Sequence, residues 1–158
     1  MIQLSIKTES DLYNNLDATK SRVNTDVYNF LKSFCNMIDE EKHTLDVVQI
    51  ISDSPIDSDR FQKVLQDNVR REQELLACQM KTNSKRALQE CIVGSALSVA
   101  GLVLAYKTDQ VLLSLISFFG TMTLRSGITI WAIVNPDIKR LKNRLNPLLN
   151  STIEVIEK

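Results

Sequence analysis

Residues 91–106 read CIVGSALSVAGLVLAY and residues 111–134 read VLLSLISFFGTMTLRSGITIWAIV, with Lys107-Thr108-Asp109-Gln110 between them. The first block carries no charge and the second carries one, Arg125. Two long apolar blocks joined by so short a polar link predict a helical hairpin, set in a membrane or at the centre of a soluble bundle. As a helix the first block spans about 24 Å, short of a hydrocarbon core of about 30 Å. Extending it back through Ala87 to Glu90 supplies the missing length at the expense of one carboxylate. The second block is long enough. A central arginine opposes its insertion by about 2.5–3.5 kcal/mol, while each Val, Ile, Leu or Phe favours it by about 0.3–0.6 kcal/mol. Twelve such residues in the block bring the balance to neutral or favourable, so Arg125 does not forbid a membrane.

Charge is segregated around this hairpin. The 158-residue chain has no formal net charge, yet residues 1–59 hold 5 basic against 11 acidic side chains. Residues 60–90 reverse this, 7 against 4, and residues 135–145 carry Lys139, Arg140, Lys142 and Arg144 against Asp137. Lys81, Lys85 and Arg86 stand before the first block, while Lys107 is the lone basic residue of the link. By the positive-inside rule both termini lie in the cytosol and the link lies across the membrane. Tyr106 and Trp131 fall where interfacial aromatics would anchor the two leaflets. The basic residues crowd beside apolar blocks instead of spreading along one face, which excludes a nucleic-acid footprint.

Within the first block Gly94, Ser98, Gly101 and Ala105 recur at steps of four, three and four. Such a small-residue stripe lets a second helix approach closely in lipid. Ser114, Ser117, Thr121 and Arg125 form a polar stripe on the second helix. In an oligomer it would line a water-filled path favouring anions. The plainer reading is an arginine that snorkels or pairs with Glu90 or Asp109. The cluster Lys81, Lys85, Arg86, Lys139, Arg140, Lys142 and Arg144 is expected to meet the membrane surface.

Around the hairpin the pattern is helical. Leu12, Leu16, Val23, Val27, Phe30, Leu31, Phe34, Met37 and Ile38 predict one amphipathic helix from about Ser10, capped by Thr8 or Ser10. Thr44 is expected to cap a short successor carrying Leu45, Val48 and Ile51. Asp53-Ser54-Pro55 reads as a loop. A further helix starts near Asp57 or Ser58, meets no Gly or Pro before Gly94, and is free to continue into the first apolar block. Asn135-Pro136 and Asn146-Pro147 each suit a helix start. Ile138, Leu141, Leu145, Leu148, Ile153 and Ile156 then put one stripe on a basic amphipathic tail helix. The expected fold is all-α: a helical region over 1–56, a juxtamembrane helix over 57–90, a transmembrane hairpin over 91–134 and the tail over 135–158.

Little here points to catalysis. Glu40 and His43 give one E-x-x-H spacing, but a di-iron bundle needs two and more carboxylates. Asp53, Asp57 and Asp59 lack the glycine and terminal glutamate of a calcium loop. The cysteines Cys35, Cys78 and Cys91 are odd in number, widely spaced and expected to be reduced. No cofactor, metal or enzymatic activity is expected. MIQLSIKTES does not read as a cleaved signal peptide, so the hairpin would serve as its own membrane signal.

The hydropathy layout of residues 81–145 resembles viroporins and the two-helix effectors of bacterial antiviral systems. That likeness implies a small integral membrane protein that self-associates and permeabilises or conducts. It is also similar to the two-lobed layout of chlamydial inclusion-membrane proteins, which implies a membrane anchor with residues 10–90 recruiting a helical protein partner. A buried hairpin of the colicin-like or Bcl-2-like kind is the soluble alternative.

Overall fold

The computed structural model describes residues 2–37, 47–105 and 110–157, with the side chains of 105, 110–113 and 157 left aside. The expected Glu40–His43 pair, the Thr44 cap, Tyr106 and most of the polar link lie outside the described residues. The chain is mostly helical, with a small sheet that the all-α expectation lacked. It divides into two compact units: Met1–Leu75 with Leu141–Lys158, and Leu76–Arg140.

The first unit is built from both ends of the chain. Strands β1 (Ile2–Ile6), β2 (Val47–Ser52) and β3 (Thr152–Glu157) form a parallel sheet in the order β1-β2-β3. The register aligns Ile2, Val48 and Ile153 in one row, and Leu4, Ile50 and Val155 in the next row on the same face. Period-two alternation buries Val48, Ile50 and Ser52 while Gln49 faces the other way. There Gln49 accepts from Gln3 Nε2 at 3.2 Å and donates to Glu154 at 3.5 Å.

Helix α1 (Thr25–Met37) buries Val27, Leu31 and Cys35, and α2 (Ser58–Ala105) buries Phe61, Leu65 and Val69, each at four-residue steps. Asp57 starts α2 by accepting the Arg60 amide at 3.0 Å. Tyr28 on α1 donates to Glu72 Oε2 at 2.5 Å, and Lys32 pairs with the other carboxylate oxygen. Burial pushes the Glu72 carboxyl upward, but hydrogen bonds from Lys32 and Tyr28 outweigh it and hold the group below its usual range. Burial, then Glu72 itself, pushes the Tyr28 phenol well above its usual range.

Three expectations are corrected here. The single helix from Ser10 is instead a short 3-10 turn (Glu9–Leu12), a loop, and then α1. Asp17 explains the break: its carboxylate accepts the amides and hydroxyls of Thr19 and Ser21 at 2.5–3.0 Å, and Lys20 takes φ 51°. Side-chain bonds of this kind offer the backbone a turn in place of a helix. The short helix carrying Val48 and Ile51 is strand β2. The tail is α4 (Asn135–Arg144), α5 (Asn146–Asn150) and then strand, so Ile153 and Ile156 sit on opposite faces of a sheet, not on one helical stripe.

The second unit holds α2 from Leu76 onward, α3 (Gln110–Thr129), a π turn (Ile130–Val134) and α4 as far as Arg140. Pro136 lacks the amide that would bond the Ala132 carbonyl, and the helix widens just before it. Asn135 accordingly donates its amide to Ile130 O and stays helical at φ −66°, so it does not cap a new helix as expected. Asn146 does not cap either, since it lies within α5 and Leu145 precedes it in helical geometry.

Candidate functional site

Glycine sets the distance between α2 and α3. A Cβ built on Gly94 would lie 2.5 Å from the Leu124 nitrogen, and one on Gly101 would lie 3.2 Å from Ser117 Cβ. From the other side, a Cβ on Gly120 would meet Ser98 N at 2.6 Å, and one on Gly127 would meet Cys91 Sγ at 2.7 Å. The pairs run in opposite directions along the two helices, as an antiparallel hairpin requires. Gly94, Ser98 and Gly101 thus all lie against the chain's own second helix. Ala105 continues their spacing, but its side chain is outside the described residues. On α3 the matching positions are Ser117, Gly120, Leu124 and Gly127. Their steps of three, four and three are those of one helical face, though Leu124 interrupts the run of small residues.

The outer surface of the hairpin inverts the usual distribution. Val99, Leu102, Val103, Phe118, Phe119 and Met122 are exposed. Only 17% of the apolar window of α2 is buried, at a mean hydropathy of 1.7. A soluble core helix buries its apolar side chains; here small residues are inside and large ones outside. One helix is therefore long and apolar enough to cross a membrane.

The members of the polar stripe differ in burial. Ser117 is turned toward Gly101 of α2. Ser114, Thr121 and Arg125 are exposed, and the Thr121 hydroxyl donates to the Phe118 carbonyl at 2.8 Å. Arg125 makes no ion pair among the described residues. Glu90, an expected partner for it, is engaged by Arg86 Nε at 2.7 Å.

At the outer end of the hairpin Asn135 is buried and its Nδ2 donates to Ser84 Oγ at 2.9 Å, tying the start of α4 to α2. Lys81, Lys85, Arg86, Lys139 and Arg140 are exposed in this unit. Arg140 lies 3.8 Å from Asp137. Lys142 and Arg144 follow on the same helix, α4, in the part counted with the other unit. A groove of about 400 Å³ is lined by Ser84, Ala87, Leu88, Cys91, Ile128 and Trp131. Among the described residues no three His, Cys, Asp or Glu side chains gather as a metal would need.

Comparison with protein-family models, with curated proteins and with solved structures gave no match. The functional reading therefore rests on the chain's own chemistry.

Proposed function

We propose that the protein is an integral membrane hairpin that anchors a small α/β unit at one face of a bilayer, where that unit engages a protein partner. The observation that carries this reading is the inverted hairpin: glycine and serine between the helices, large apolar side chains outside. In lipid the outer side chains need no further cover, and close backbone packing holds the helices together. Connectivity supports the same orientation for both ends. Gln66 of α2 donates to the Leu149 carbonyl at 3.1 Å and Gln73 donates to Asn146 Oδ1 at 2.9 Å. The chain on either side of the hairpin thus returns to one compact unit, which is compatible with two crossings that leave both flanks on one side; the basic flanks favour the cytosolic side.

Side-specific labelling tests this. Single cysteines at the exposed positions Leu16, Glu154 and Phe119, in a chain without Cys35, Cys78 and Cys91, are treated with an impermeant maleimide on sealed vesicles. Leu16→Cys and Glu154→Cys are expected to react from the same side, and Phe119→Cys only after detergent. Reaction of the first two from opposite sides rules the hairpin topology out, and rapid reaction of Phe119→Cys in intact vesicles rules out its burial in lipid.

Arg125 favours a second reading, in which several hairpins self-associate and Thr121 and Arg125 line a path for anions. Exposed and without an ion pair among the described residues, Arg125 is available for that role. Anion flux from loaded vesicles that disappears in Arg125→Leu supports it; flux unchanged by that substitution, or absent throughout, leaves the anchor.

A further inference from the structure

The groove at the outer end of the hairpin combines features that the anchor itself does not use. Its walls are apolar: Leu88, Ala87 and Cys91 from α2, Ile128 and Trp131 from the α3 side. Leu88 and Trp131 are 62% and 69% exposed, so the walls are open to an occupant. Ser84 marks its polar end, where it accepts from Asn135. The neighbouring amide oxygen, Asn135 Oδ1, is buried without a partner.

Cations extend outward from that polar end. Lys81, Lys85 and Leu88 follow one another at steps of four and three along α2, so the two lysines continue the line of the groove wall. Lys139 lies one turn beyond Asn135 on α4. Lys81, Lys85 and Lys139 are exposed and make no ion pair among the described residues, whereas Arg86 and Arg140 have Glu90 and Asp137 beside them. An apolar slot below a cluster of unpaired ammonium groups matches the two halves of an anionic glycerophospholipid. Water-soluble anions would use only the lysines, and an uncharged lipid only the slot.

We propose that this groove holds an acyl chain of an anionic phospholipid whose phosphate is gripped by Lys81, Lys85 and Lys139, an inference that rests on the membrane reading above. The assignment gives the hairpin a preference among lipids, where bulk apolarity alone gives none. It also explains the chain's single tryptophan at a place where one ring covers a lipid tail and sits at headgroup depth.

Trp131 is itself the probe. The full chain is reconstituted in mixed vesicles of phosphatidylglycerol and phosphatidylcholine at one fixed ratio, with the brominated tails carried by one lipid or by the other. Brominated phosphatidylglycerol is expected to quench Trp131 more strongly, reflecting local enrichment of about fivefold per engaged lysine. Lys81→Gln with Lys85→Gln should equalise the two carriers. Leu88→Phe, which fills the groove at an exposed position, should do the same while leaving flotation with the vesicles unchanged. Equal quenching by both carriers in the unmodified chain overturns the inference and leaves the membrane reading standing. A preference that survives the lysine pair or the Leu88 change also overturns it, because diffuse attraction then accounts for the effect. Absence of quenching from either lipid overturns the groove and the membrane reading together.

Discussion

Ser98 and Gly120 meet backbone to backbone: a Cβ added to Gly120 would lie 2.6 Å from the Ser98 nitrogen and equally close to its hydroxyl oxygen. Helix propensity alone favours alanine at Gly120 by about 1 kcal/mol. Overpacking against a rigid backbone costs about 1–3 kcal/mol and opposes that gain. Gly120→Ala is therefore expected to lower the unfolding temperature in detergent, and Gly120→Leu to separate the helices outright. The Cys91 thiol, packed beside Gly127, should label faster in the leucine variant. Labelling at the unmodified rate would show that the contact is not tight in solution.

Gly101 and Ser117 offer a covalent check on the same packing. A Cβ at Gly101 lies 3.2 Å from Ser117 Cβ, within a few tenths of an ångström of the roughly 3.5–4.5 Å that a disulfide spans. Gly101→Cys with Ser117→Cys is expected to oxidise within one chain, in a background without Cys78 and Cys91. The product should run as a monomer of altered mobility on a non-reducing gel. A dimer band would assign the small-residue stripe to contacts between chains.

Glu72 gives the sheet-containing unit a pH dependence of defined sign. Its carboxyl is held below the reference value of 4.5 because the hydrogen bonds from Lys32 and Tyr28 outweigh burial. The contribution is complete above that reference value and is lost as pH falls below it, through the lower folded value. Glu72→Gln should cost about 1–3 kcal/mol at neutral pH, and its deficit should shrink as the pH is taken below 4.5. Urea titrations at neutral and acidic pH measure the difference; a deficit that grows in acid would contradict this account.

Ile153 and Ile156 separate the strand from the helix that their spacing suggested. In β3 Ile153 is 6% exposed and Ile156 is 43% exposed. Ile153→Ala is expected to destabilise the unit by about 2–4 kcal/mol, and Ile156→Ala by well under half of that. Equal losses in denaturant titrations would restore the amphipathic tail helix.

That pair shows where local pattern stops being informative. Ile153-Glu154-Val155-Ile156 satisfies a period of two as well as an i, i+3 step, and only pairing with β2 decides between them. The partners are remote: Gln3 is 46 residues from Gln49, and Gln49 is 105 from Glu154. No window of the sequence contains the whole sheet. Asp17 is a different case, since Asp-x-Thr-x-Ser announces competing side-chain bonds while the apolar spacing around it is equally that of a helix. The long rod of α2 was legible because no Gly or Pro interrupts it before Gly94. The small-residue stripe was legible on α2 alone; Ser117, Gly120 and Gly127 complete it, but larger apolar neighbours mask them.

The central claim is that the glycine-packed hairpin resides in a bilayer, and an alkaline carbonate wash of membranes holding the tagged full-length chain tests it most directly. The account predicts that the protein stays in the pellet with the lipid and leaves only with detergent. Release into the carbonate supernatant would contradict it, because the exposed apolar surface of α2 and α3 would then have to be covered by protein.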